Sequence, residues 1–154
     1  MKIGRYYSAF VQYVVIFVMA FLLFTFWQLH LHYGDPDAFY HAKMAVFLSQ
    51  GVILRSLPWM QFSTLAQQFT DQHFLYHLIL APVVKLGNPL LAVKLGTIFF
   101  GAGFGTMFFW FLRKINCRQS FLYTILLLLT PSLTFRLSLV KANNLSLIVL
   151  LLIV

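Results

Sequence analysis

Residues 8–29 read SAFVQYVVIFVMAFLLFTFWQL, a run without a single charged side chain. Wound as an α-helix, it rises about 33 Å, enough to cross a hydrocarbon core of about 30 Å. Lys2 and Arg5 precede it, and basic flanks stay on the cytoplasmic side. The run is longer than the roughly 7–15 apolar residues of a cleavable signal, and Trp27-Gln28-Leu29-His30 offers no small-x-small cleavage site. The reading is therefore a retained anchor with a cytoplasmic N-terminus, with Trp27 and Tyr33 at the outer interface, where amphipathic rings are favoured.

The whole chain agrees with that beginning. Of its 154 residues 61% are hydrophobic and only 9% are charged, against about 25% charged in soluble domains. The net charge of +8 does not point to nucleic acid, because the basic residues form no stripe or run. They stand in ones and twos beside apolar segments, where lysine and arginine orient a membrane protein. Cys117 is the single cysteine, which excludes an internal disulfide and a cysteine metal pair.

Further apolar segments follow. Residues 90–112 predict a second span, with Lys94 near one end able to snorkel. Arg113-Lys114-Ile115-Asn116-Cys117-Arg118 then forms the densest basic cluster, assigned to the cytoplasm like Lys2 and Arg5. Two cytoplasmic ends need an even number of crossings, so residues 30–88 are expected to form an external loop. A third span at about 119–138 is interrupted by Pro131-Ser132. An apolar segment at 145–154 is too short to cross unaided, so a longer protein continuing beyond Val154 is expected. The fold class expected is all-α: a multi-span transmembrane bundle, multi-pass in the inner or plasma membrane, forming one integral membrane region. Short surface helices would lie in the external loop.

Within that loop Gly34-Asp35-Pro36 is a turn signal, Asp37 a plausible N-cap, and Gly51 the stop of a helix reaching about Gln50. Phe39, Met44, Phe47 and Leu48 make its apolar face, with His41 and Lys43 pointing elsewhere. Leu57-Pro58-Trp59-Met60 breaks the chain, residues 61–72 are read as helical again, and residues 73–84 as a surface or re-entrant helix. The loop also gathers the chemistry. Asp35, Asp37 and Asp71 are all the acidic residues of the chain, and all five histidines lie between His30 and His77.

Asp71-x-His73-x-x-x-His77 has the spacing of metal ligands on one helix face. Zinc sites take three or four protein ligands, and no third firm one is at hand. Interfacial placement explains His30 and His32. Gly101-Ala102-Gly103-Phe104-Gly105 follows no strand, so it fails as a phosphate loop. The spacing of Gly101 and Gly105 instead suits close packing of membrane helices. Arg136 and Lys141 could grip a phosphate or serve as headgroup anchors. Asp37 can accept a proton from an attacking hydroxyl or amide, or ligate a hard cation.

Asp37-Ala38-Phe39-Tyr40-His41-Ala42-Lys43 resembles the first external loop motif of the GT-C superfamily of membrane glycosyltransferases, above all the catalytic subunit of oligosaccharyltransferases. There an aspartate is followed at fixed offsets by aromatics, an Asn or His, and an Arg or Lys. Asp37, Tyr40, His41 and Lys43 fall on those offsets. The resemblance implies sugar transfer from a polyprenyl-phosphate-linked donor to an acceptor at the outer face of the membrane, with membrane lipid as the other partner. It implies Asp37 as the catalytic carboxylate, with Asp35 and His41 beside it. Tyr40, Lys43, Asp71, His73, His77, Arg136 and Lys141 would be substrate contacts. It leaves room for a divalent cation, Mg or Mn. The second external loop departs from the oligosaccharyltransferase pattern: Lys141-Ala142-Asn143-Asn144 stands where those members carry acids. That favours the metal-independent members, which use single-sugar donors. The competing expectation is a solute or ion transporter, its pathway lined by the His/Asp-rich stretch.

Overall fold

In a computed structural model, residues 2–30 and 35–153 are described, with side chains from residue 10 onward. The expectations placed on His32, Tyr33, Gly34 and the side chains of Lys2 and Arg5 lie outside those residues. Among the described residues the chain is all-helical: α1 (Lys2–His30), α2 (Asp37–Ser49), a single 3-10 turn (Thr64–Ala66), α3 (Phe74–Val84), α4 (Pro89–Lys114), α5 (Ser120–Leu128), α6 (Pro131–Ser138) and α7 (Asn143–Ile153). It divides into two units, residues 1–35 with 94–154, and residues 36–93.

In the first unit, α1 and the part of α4 that belongs to it run antiparallel. Gln12 meets Arg113 at one end, the rings of Tyr13 and Phe109 and of Phe21 and Phe99 touch in between, and Lys94 Nζ donates to the Gln28 carbonyl at the other. Ile16, Ala20, Phe24 and Gln28, spaced four apart, form the buried stripe of α1. The paired glycines of α4 let it come close. A Cβ on Gly101 would stand 2.6 Å from the Phe24 ring, and one on Gly105 3.4 Å from Ala20. This is the packing that small residues four apart allow. Ile98, Ala102, Phe104, Leu128 and Leu137 complete the core.

The outer faces of the same helices are also apolar. Phe10, Leu22, Phe26 and Leu29 are more than half exposed, and a helix that is apolar all round suits lipid. Two helices are long and apolar enough to span a membrane, 10–30 and Pro89–Lys114. The third expected span is bent. α5 and α6 meet at 68° across Leu129-Thr130, where Pro131 opens α6 and cannot supply an amide hydrogen. Thr124, Thr134 and Ser138 return their hydroxyls to carbonyls one turn back, which satisfies them inside the helix.

In the second unit α2 packs on α3. Ala38, His41, Ala42 and Ala45 form one side, and Tyr76, His77, Leu80, Ala81 and Val84 the other. His41 thus sits in the buried stripe, not off to one side as the sequence suggested. The alanines give the room for it. At the end of α2, Gly51 adopts φ 77; its amide bonds to the Leu48 carbonyl, and that of Val52 to Phe47. This is the left-handed stop expected of that glycine.

Two local expectations fail. Asp37 is the first residue of α2 and not its cap: Pro36 takes that place and no side chain caps the helix. There the Asp37 carboxylate faces the positive end of the helix dipole. Residues 61–72 form turns and the single 3-10 turn instead of a helix. Backbone amides of Leu57 and Phe69 bond across the loop to the carbonyls of Leu65 and Arg55, and these long-range bonds replace a helical ladder.

Candidate functional site

The α2–α3 seam carries a hydrogen-bonded network. Asp71, in the loop before α3, accepts the His73 backbone N–H at 2.9 Å through Oδ1, an Asx turn that holds the carboxylate against the helix start. Its Oδ2 lies 2.6 Å from His77 Nδ1, and it also accepts the Tyr40 hydroxyl. His77 Nε2 lies 2.7 Å from His41 Nδ1.

These distances fix the tautomers by elimination. A carboxylate only accepts, so His77 Nδ1 carries hydrogen and donates to Asp71. In the neutral imidazole the other nitrogen must accept, so His41 Nδ1–H donates to His77 Nε2. The lone pair of His41 is then on Nε2. His41 and His77 are 2% and 0% exposed, so both rings of the relay, in which His41 donates to His77 and His77 to Asp71, are shielded from water.

Burial sets the acid–base character. It pushes His41 down to about 4, helped by the charges that His77 and His73 would carry and resisted by Asp37 and Asp71. It also lowers His77, against the opposing hydrogen bond and charge of Asp71. Tyr40 is pushed up to about 12 by burial and then by Asp71, with Asp37 adding to the effect. At neutral pH the imidazoles are uncharged and the phenol keeps its proton.

Beside the network lies a cavity of about 750 Å³, walled mainly by Phe39, Tyr40, Phe47, Trp59, Phe69 and His73. Tyr40 and His73 belong to both. Lys43 lines it too, its Nζ 4.9 Å from the Phe47 ring centre, as cations sit over aromatic faces. The cavity is apolar with a few polar groups at one wall, the usual make-up of a small-molecule site.

Six of the residues singled out from the sequence, Tyr40, His41, Lys43, Asp71, His73 and His77, share this seam and its cavity. Asp37 opens the same helix and acts electrostatically on Tyr40 and His41. Asp35, Arg136 and Lys141 belong to the other unit. There Lys141 Nζ makes an ion pair with Asp35 Oδ2 at 2.8 Å, while Arg136 is exposed in the last turn of α6. Phe47, Trp59 and Phe69 were not singled out as site residues. Their aromatic character was visible in the sequence, but the loop closure that gathers them was not.

The metal reading of Asp71, His73 and His77 does not fit. Among the described residues no group of three or more His, Cys, Asp or Glu is arranged to hold an ion. Both ring nitrogens of His77 are engaged, so ligation would break two buried hydrogen bonds. The same finding leaves a divalent cation no cluster of three such ligands among these residues. Compared with known proteins, the chain matches no family model, no curated protein and no solved structure; its own residues carry the functional reading.

Proposed function

We propose that the chain is part of a multi-span membrane glycosyltransferase that transfers a sugar from a polyprenyl-phosphate donor, with Asp37 as the catalytic carboxylate. The observation that carries this reading is the shared wall. Tyr40 and His73 join an apolar cavity of about 750 Å³ to a buried acid–histidine network that follows directly on Asp37. Isoprenoid units suit the aromatic walls, and Lys43 offers a cation to the phosphate. Asp37 takes the proton from the acceptor nucleophile as it attacks the anomeric carbon. The bond from that carbon to the phosphate oxygen breaks, and the phosphate leaves with the electron pair. Tyr40, held protonated, and the network behind it keep the α2 wall in one arrangement. No step passes through a metal.

The membrane arrangement belongs to the same proposal. α1 and α4 cross, the external loop, described from residue 35 to 88, faces outward, and the N-terminus and residues 113–118 face the cytoplasm. The Gln12–Arg113 contact supports this by joining the N-terminal half of α1 to the basic end of α4. A transporter is the weaker reading, because two of the three acids, Asp37 and Asp71, belong to residues 36–93 and lie in neither of the two long apolar helices, while the third, Asp35, is paired with Lys141.

The test is transfer from a labelled polyprenyl-phosphate sugar by membranes containing the full-length protein. Asp37→Asn should reduce turnover by about 10²–10⁴-fold, the usual contribution of general-base catalysis. Wild-type turnover in that variant removes Asp37 from the mechanism. Cysteine labelling of residues 37 and 116 from opposite sides tests the sidedness.

A further inference from the structure

A second polar hollow of about 420 Å³ lies where α4 gives way to α5, lined by Gln12, Arg113, Asn116, Arg118 and Ser120 among others. It is built, not incidental. Arg113 Nη1 donates to Gln12 Oε1 at 3.1 Å, which holds the guanidinium while leaving other N–H donors for a ligand. Asn116 takes φ 58, and the amide of Cys117 reaches back to the Leu112 carbonyl at 2.9 Å. That left-handed stop reverses the chain, so that Arg118 lines the same hollow as Arg113.

The charge there has no internal answer. The one acid of this unit is Asp35, and it pairs with Lys141. Neither salt bridge among the described residues involves Arg113, Lys114 or Arg118. The surroundings are apolar. Lys114 Nζ sits 5.1 Å over the Trp110 ring and Arg113 5.7 Å over Phe109. Ile115, Leu122 and Tyr123 are about half exposed nearby in sequence. Trp and Tyr mark headgroup depth, and basic pockets between membrane helices take anionic headgroups.

We infer that this hollow binds the phosphate of an anionic phospholipid headgroup, with Arg113 and Arg118 as the contacts and the acyl chains lying along the apolar faces beside it. A free phosphate anion shares the chemistry but would not use those faces. The experiment is native mass spectrometry of the delipidated full-length protein offered phosphatidylglycerol, phosphatidylcholine or inorganic phosphate. Phosphatidylglycerol should be retained roughly tenfold over phosphatidylcholine, because basic residues at the membrane surface favour anionic headgroups, and should persist in excess inorganic phosphate. The double variant Arg113→Gln/Arg118→Gln should lose that preference, as should Arg118→Gln alone in part. Arg55→Gln/Lys85→Gln, which removes the same charge elsewhere, should keep it. Equal retention of the two lipids, loss in the control variant, or displacement by inorganic phosphate overturns the inference.

Discussion

Nδ1 of His41 and Nε2 of His77 stand 2.7 Å apart across the α2–α3 seam, in a place where neither ring meets water. Two histidines can share a hydrogen bond so deeply only when one donates and the other accepts. Asp71 decides which does which, by taking the single N–H hydrogen of neutral His77 and leaving its Nε2 to accept. The pair therefore couples a loop carboxylate to the middle of α2.

Removing either ring should destabilise the second unit, because the partner nitrogen is left buried without its bond. We expect about 1–3 kcal/mol for His41→Ala or His77→Ala, the cost of an unsatisfied buried group. The double variant should cost less than the sum of the two, since the rings act on each other. Chemical denaturation in detergent measures all three; full additivity would mean that the bond contributes nothing.

Stability should also fall on acidification. Both imidazoles titrate below the ordinary 6.5 in the folded chain, His41 at about 4. The unfolded chain then takes up protons first as the pH drops. The stabilisation is complete above about pH 6.5, and is lost as the pH falls toward about 4. The thermal midpoint should decline over that window, and His41→Gln should flatten the decline. An unchanged slope in that variant would assign the titration to another group.

Gly101→Ala tests the α1–α4 packing. Its new Cβ would stand 2.6 Å from Phe24, and overpacking of this kind costs about 1–3 kcal/mol. Gly103→Ala meets only the end of Ile148 at 3.3 Å and should cost much less. Pairing Gly101→Ala with Phe24→Leu should recover part of the loss in a detergent thermal melt. Equal melting of the two single variants would refute the close approach.

Gly51→Ala isolates a backbone effect. Nothing lies within 4 Å of the added atom, so the penalty is that of a left-handed residue with a Cβ, about 1–2 kcal/mol. Gly51→Asn should cost less, because asparagine tolerates that region better. The same denaturation experiment ranks them; alanine equal to glycine would argue against the turn.

The features legible in sequence were those set by neighbours along the chain. The uncharged run before His30, the stop at Gly51, the break at Pro131 and the spacing of Gly101 and Gly105 all follow from local rules, and the structure reproduces them. What escaped depends on partners far away. His41 was read as facing away because its side chain is polar. Yet Ala38, His41, Ala42 and Ala45 keep helical spacing, and counting the ring as apolar would have revealed the stripe. Its partner is 36 residues distant, beyond any local pattern. Residues 61–72 misled for a similar reason: the amides of Leu57 and Phe69 find carbonyls across the loop, which no periodicity announces. Asp71 was noticed for its histidine spacing, but its tie to Tyr40 was not visible.

The end of α6, at Leu137 and Ser138, has one more consequence. A chain that turns back inside a greasy medium ordinarily strands the oxygens at the end of its helix. Here the carboxamides of Gln28 and Asn144 donate to the carbonyls of Ser138 and Leu137, so side chains perform the solvation that water would supply elsewhere. The end of α6 is accordingly satisfied by the protein's own side chains, and the reversal into α7 does not depend on water to complete those hydrogen bonds.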